Sequence, residues 1–258
     1  MKMVSIGSVV VVVGAGMPKV VVPIVGKTAE EIIYAAHAVA AAECDIAEWR
    51  ADYFDRVLNR DELLITLARL REALGEKPLL FTFRTAKEGG EKAVSPDDYI
   101  ALTIAAAESG CADAVDLEIY TGDALVRECI DAVHGAGKIV IGSSHDFGGT
   151  PPKDTLLAWL RKAQDMDADI AKIAVMPHTP ADVLTLLSAT EEMARRYADR
   201  PIATMSMSAM GVVSRLCGET FGSALTFGAL ERTSAPGQLP VEQLHQVLRI
   251  LHDAAGRE

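Results

Sequence analysis

The chain has 258 residues, 50% of them hydrophobic and 24% charged, a balance that supplies a globular core and excludes disorder and collagen-like repeats. With 36 acidic against 25 basic residues the formal net charge is -11, so the chain as a whole repels a phosphate backbone or an anionic membrane face. No nucleic-acid or membrane partner is expected, and an anionic substrate needs a local cluster of arginines to hold it.

In chain order, the first segment carries two signals. Lys2 followed by the apolar run 3–13 has the charge pattern of a weak signal peptide, but it is shorter than the roughly 18 apolar residues of a membrane span. The same stretch reads as a pair of short strands, 9–13 and 20–25, with 14–18 as the turn between them, and that structural reading is adopted. Gly14-x-Gly16 lacks the third glycine of a dinucleotide fingerprint. Eight strands are expected in the alternation, over 19–25, 46–54, 78–85, 114–120, 138–147, 170–176, 202–208 and 224–230. Helical periods fill 28–42, 60–74, 95–109, 123–136, 152–166 and 180–197, with a short helix at 211–217 and a last one at 241–253. Thr28, Ser95 and Thr179 precede prolines or acids as helix caps. Strict alternation implies a parallel sheet, and eight repeats without a linker fit one closed (β/α)8 TIM barrel over 1–258, with a short N-terminal strand pair. Cys44, Cys111, Cys129 and Cys217 form no CxxC pair and no zinc spacing, which suits reduced thiols in a cytoplasmic protein.

In such a barrel the chemistry sits at the C-terminal ends of the strands. Glu48 and Arg50 end the second strand, Arg84 the third, Glu118 the fourth and His145 the fifth, while Lys172 lies inside the sixth. Residues of equal parity share a face, so Glu48 goes with Arg50 and Asp116 with Glu118. Glu48 and Arg50 fit a structural ion pair as well as a substrate contact, Arg84 fits a solvated strand end, and a lone histidine is commonly a satisfied one. Met205 and Met207, at strand spacing, fit barrel packing. Lys172 is different: Ile173 and Val175 suit the helix-facing side, which turns the lysine inward, where a charge is expensive. A buried amine beside cations such as Arg50, Arg84 and Arg215 becomes a nucleophile towards a carbonyl, and the resulting iminium is an electron sink. A histidine then shuttles the proton, a carboxylate fixes its tautomer, and arginines hold a substrate carboxylate.

Glu48-Trp49-Arg50-Ala51-Asp52, the stretch 81–90 (FTFRTAKEGG), Ser144-His145-Asp146-Phe147, Lys172-Ile173-Ala174-Val175-Met176-Pro177 and Ser234-Ala235-Pro236-Gly237-Gln238 together resemble type I 3-dehydroquinate dehydratase. The resemblance implies a (β/α)8 barrel that dehydrates 3-dehydroquinate to 3-dehydroshikimate in the shikimate pathway, as a cytoplasmic homodimer without metal or added cofactor. It implies that Lys172 is the Schiff-base lysine, His145 the general acid/base and Glu88 the group that orients the histidine. It further implies that Arg215 binds the substrate carboxylate, that Glu48, Arg50, Arg84, Ser234, Ala235 and Gln238 contact hydroxyls or shape the pocket, and that Met205 and Met207 line it. Pro23 stands where a polar residue, often serine, is expected, Ser144 where a larger one is common and Cys217 where alanine is usual. A class I aldolase and a non-catalytic barrel that binds a hydroxy acid are the rival readings. An aldolase need not carry the 234–238 loop, and the intact set of Glu88, His145 and Lys172 argues against a mere binder.

Overall fold

The computed structural model describes residues 3–12, 14, 16–230 and 232–256. Two short strands, β1 (Met3–Ile6) and β2 (Val9–Val12), form an antiparallel hairpin whose turn holds Gly7 at φ 54°. The partner of Val9–Val12 is therefore Met3–Ile6 and not the 20–25 segment; Val13 and Ala15 of the expected strand and turn lie outside the described residues. The reason is that β3 (Lys19–Ile24) has both edges occupied, by a strand on either side in the main sheet. The alternating burial of β1 leaves Val4 and Ile6 to pack inward together with Val11.

The main sheet continues with β4 (Ile46–Arg50), β5 (Leu79–Thr82), β6 (Ala114–Glu118), β7 (Ile139–Asp146), β8 (Ile170–Val175), β9 (Ile202–Ser206) and β10 (Leu225–Ala229), with β11 (Leu239–Pro240) added beside β10. All its pairings are parallel, and β10 returns to pair with β3. Helices α1 (Ala29–Ala41), α2 (Arg60–Leu74), α3 (Pro96–Glu108), α4 (Asp123–Gly135), α5 (Lys153–Asp165) and α6 (Pro180–Glu192) cover the strands; α7 (Val212–Leu216), α8 (Gly218–Phe221) and α9 (Val241–Ala254) complete the wall. Thr28, Ser95 and Thr179 cap their helices as expected, and Asn59 caps α2. The expected strand over 46–54 stops at Arg50, because Ala51–Tyr53 turn into a 3-10 helix. The helix expected over 180–197 ends in a π turn at Met193–Tyr197. None of the helices among the described residues is long and apolar enough to cross a membrane.

Outward strand residues such as Val22, Trp49, Phe81, Leu117 and Ile173 join the helices in the larger apolar core. Inward residues form layers. Nearest the strand starts, Val21, Ile46, Leu80, Ala114, Ile141, Ile170, Ala203 and Leu225 make an apolar floor, which the hairpin residues Val4, Ile6 and Val11 plug. Two residues further along each strand, the inward positions of β4 to β8 become polar: Glu48, Thr82, Asp116, Ser143 and Lys172. On β9 and β10 the same level stays apolar, with Met205 and Phe227.

The β9 and β10 sides meet through a bridge between Ile202 and Ser223, with the Ala224 N–H donating to the Ile202 carbonyl at 2.7 Å. The Ser223 hydroxyl accepts from the Thr204 N–H at 2.9 Å, a bond a ladder partner would otherwise supply. Ser223→Ala should leave that buried N–H unpaired and lower stability by about 1–3 kcal/mol. Denaturant unfolding, with faster amide exchange at Thr204 than at Val22, is the check.

Candidate active site

Above the floor, Lys172 Nζ donates to Asp116 Oδ2 at 2.8 Å, lies 4.0 Å from Glu48 Oε1 and sits 4.6 Å over the Phe227 ring. The residues in contact with this amine are thus carboxylates and an aromatic face, where arginines were expected. Arg84 and Arg50 are tied to carboxylates instead. Arg84 donates to Asp116 Oδ1 at 2.6 Å, Glu118 Oε1 at 3.0 Å and Ser143 Oγ at 3.1 Å. Arg50 grips Asp52 with two bonds of 2.8 Å and donates to the Ser234 carbonyl at 3.0 Å. Burial opposes the charge on Asp116, but Arg84 and Lys172 outweigh it and hold this carboxyl well below the usual carboxylate range. Glu48 is aimed by the Thr82 hydroxyl, which donates to its Oε1 at 2.9 Å.

Glu88 enters from the turn after β5. Its Oε2 accepts from the His145 backbone N–H at 3.0 Å and faces His145 Nδ1 at 2.8 Å. That arrangement places a hydrogen on Nδ1 and leaves Nε2 as the basic ring atom. Burial, then the positive charges of Arg84 and Lys172, hold His145 well below its ordinary value, so the ring is neutral in the resting site. Burial likewise pushes Glu88 up to about 8, against the pull of Arg84. The turn can approach this closely because Gly89 has φ 85° and a Cβ there would strike the Phe147 ring at 2.2 Å, while a Cβ on Gly90 would meet the Arg84 carbonyl at 1.9 Å.

Arg215, on α7, is 2% exposed, and among the described residues no carboxylate answers its charge and buried Nε has no partner: NH1 meets Met205 Sδ at 3.7 Å and NH2 donates to the Pro236 carbonyl at 3.1 Å. Burial alone brings it down to about 10. A buried cation of this kind is a receptor for an anion. Over it lies the loop that carries Ser234 and Gln238, which bond each other reciprocally at 2.8 and 3.1 Å. Arg50 and Arg215 both hold this loop by its carbonyls, and the Ser208 N–H donates to Pro236 O at 3.2 Å.

All twelve residues that the sequence assigns to the site line one cavity of about 40 Å³, Met207 and Ala235 among them. Pro23 is not part of that lining; it borders an outer cleft with Glu30 and Tyr34. Asp116, Ser143, Thr82 and Phe227 were not assigned to the site, although the inward parity that exposed Lys172 also marks Asp116. Among the described residues, no group of three or more His, Cys, Asp or Glu side chains is placed to hold a metal ion.

The type I 3-dehydroquinase family model matches residues 20–255. The chain is 53% identical to 3-dehydroquinate dehydratase of Salmonella agona over 243 residues, 94% of this chain and 96% of that one. The chain belongs to the type I 3-dehydroquinase family. It dehydrates 3-dehydroquinate, as the family does. Among solved structures, type I 3-dehydroquinate dehydratase of Clostridium difficile, determined with covalent modified comenic acid, superposes with a TM-score of 0.95 at 47% identity, covering 98% of this chain and 99% of that one. The enzyme of Geobacillus kaustophilus gives 0.93 at 38% identity, covering 98% and 97%. These matches agree with the (β/α)8 barrel expected from the alternation of elements.

The loop over the cavity rests on Gly237, whose φ is 81° and where a Cβ would strike the Ser208 carbonyl at 2.3 Å. Gly237→Ala should displace the loop, with strain on the order of 1–3 kcal/mol, and raise KM for 3-dehydroquinate at least ~5-fold while the barrel stays folded. Steady-state kinetics beside a melting curve test this, and an unchanged KM would show that the loop does not shape binding.

Proposed function

We propose that this type I 3-dehydroquinase works through an imine between Lys172 and the substrate ketone, giving 3-dehydroshikimate and water within the shikimate pathway. The observation that carries the reading is the placement of a buried lysine amine and a histidine held by Glu88 on one small cavity. Arg215 receives the substrate carboxylate in this reading, since it is a buried arginine whose charge no carboxylate among the described residues answers. Glu48, Arg50, Ser234 and Gln238 then meet hydroxyl groups, while Met205, Met207 and Ala235 bound the apolar side. Arg84 lines the cavity and also holds Asp116 and Glu118, so it serves their placement as well as the substrate.

The steps are ordinary imine chemistry. The lysine nitrogen bonds the carbonyl carbon and water leaves. Positive charge on nitrogen acidifies the adjacent C–H, His145 Nε2 takes that proton, the C–H pair forms a C=C bond and the C=N pair moves onto nitrogen, giving an enamine. The β-hydroxyl departs as water with the proton that His145 returns, the iminium re-forms, and water hydrolyses it to the product ketone. The iminium serves as electron sink, so the reading needs neither metal nor cofactor. The covalent modification of comenic acid in the Clostridium difficile structure supports a covalent step. One barrel domain, a homodimer and a cytoplasmic location complete the reading, on the family resemblance alone.

Borohydride added with 3-dehydroquinate should inactivate the enzyme and add mass to the peptide containing Lys172. Lys172→Met should abolish turnover and take no label. Label on another lysine, or turnover with no lysine labelled, would sink the mechanism and favour a reading without covalent catalysis.

His145 and Glu88 supply a second test. A base whose pKa is lowered loses its activity only as pH falls through that lowered value, so the acid limb of kcat/KM should lie below the ~6.5 of an ordinary histidine. Glu88→Ala and His145→Ala should each cut kcat by about 10²–10⁴, with the double variant little worse than His145→Ala. Additive losses in that cycle would mean the two residues do not act as a unit.

A further inference from the structure

Asp116 is the carboxylate on Lys172 to which the imine chemistry above gives no part. It is fully buried on β6 and reaches across β7 towards the lysine. Its two oxygens are divided in use. Oδ1 accepts from Arg84 and from the Ser143 hydroxyl, both at 2.6 Å, and Oδ2 accepts from Lys172 Nζ at 2.8 Å. Two donors on one oxygen fix the direction of the other, so the carboxylate is aimed at the lysine nitrogen. The remaining charged groups that face this pair are engaged elsewhere: Glu118 with Arg84 and Thr85, His145 with Glu88, and Glu48 with Thr82 at 4.0 Å from the amine. From β9 and β10, Met205 and Phe227 line the site and neither titrates, while Tyr99 of α3 donates to the Asp116 carbonyl at 3.5 Å and is held by burial well above its ordinary value.

Imine formation conserves charge at this nitrogen. An ammonium and a ketone give an iminium and water: the nitrogen bonds the carbonyl carbon, the C–O electrons pass to oxygen, and two protons from nitrogen leave with that oxygen as water. The nitrogen is a monocation before and after, so one carboxylate serves both states. The chemistry then depends on its staying cationic, because a neutral imine draws electrons from the adjacent C–H far less strongly.

We infer that Asp116 is the counter-ion of the protonated imine, a positioning residue that keeps the Lys172 adduct cationic until the neighbouring C–H breaks. This rests on the reading of Lys172 as the imine-forming residue. A carboxylate at hydrogen-bond distance in a buried site stabilises the cation over its neutral form, and removing its charge lets the adduct lose its proton at lower pH.

The test is kcat and KM for 3-dehydroquinate from about pH 6 to about pH 10, for the wild type and Asp116→Asn. The alkaline limb of kcat should move down by at least ~1 pH unit in the variant, with KM within about threefold, so that the loss grows from small near pH 6 to about tenfold or more near pH 9. A loss equal at every pH, as a merely structural residue would give, overturns the proposal. Should Asp116→Asn fail to fold, nitrogen-15 NMR of the lysine-labelled wild type with excess substrate decides: the adduct nitrogen should hold its proton near pH 9, and a proton-free imine there overturns the proposal. Borohydride separates the two levels. No label on Lys172 in the wild type removes the imine reading, whereas label on Lys172 with an unmoved limb removes the role of Asp116 alone.

Discussion

The buried amine of Lys172 has to be answered by charge, and Asp116 is where that requirement concentrates. Arg84 lies on one of its oxygens and Lys172 on the other. A lysine in the interior without such a partner would carry a desolvation penalty of several kcal/mol, and the same holds for the carboxylate without its cations. The rest of the site is fitted around this arrangement. Arg84 ties Glu118 in, Glu118 accepts from the backbone and hydroxyl of Thr85, and the turn that follows delivers Glu88 to His145. Ion contacts of this kind set geometry more than stability, because each pair offsets little more than its own dehydration. Stability comes instead from the apolar floor and from the helix-facing core.

The interior is divided by side as well as by height. At one level β4 to β8 present acids, hydroxyls and a lysine, while β9 and β10 present Met205 and Phe227. A ring-shaped hydroxy acid bound here would meet donors and acceptors along one edge and apolar surface along the other. Arg215, held against Met205 on the apolar side, supplies the charge that this side otherwise lacks.

Much of this was legible from the chain. Alternation of β-branched runs with helical periods gave the barrel strands to within a few residues, and parity alone turned Lys172 inward. The same parity pointed to Asp116, but that the two share a hydrogen bond across β7 depends on strand register, which no local pattern encodes. Arg84 was read as a solvated strand end or a substrate contact, and its bonds to three acceptors on β6 and β7 come from neighbours more than thirty positions away. The partner of β2 was misassigned because 20–25 is the longer apolar run; competition for sheet edges decided it, since β4 and β10 take both edges of β3. The loop over the cavity depends on Ser208 at φ 59° and Gly237 at φ 81°, and a serine carries no sequence signal for such a backbone.

The hairpin at the N-terminal end of the barrel has a consequence for traffic. Val4, Ile6 and Val11 seal the floor beneath the charged layer, so the barrel is a vessel with one open end. Substrate, product and the water that dehydration liberates all pass through the upper end, where the 232–238 loop is tied down by two arginines. The water set free in dehydration thus shares its way out with substrate and product. The entrance that admits the substrate is also the drain of the reaction.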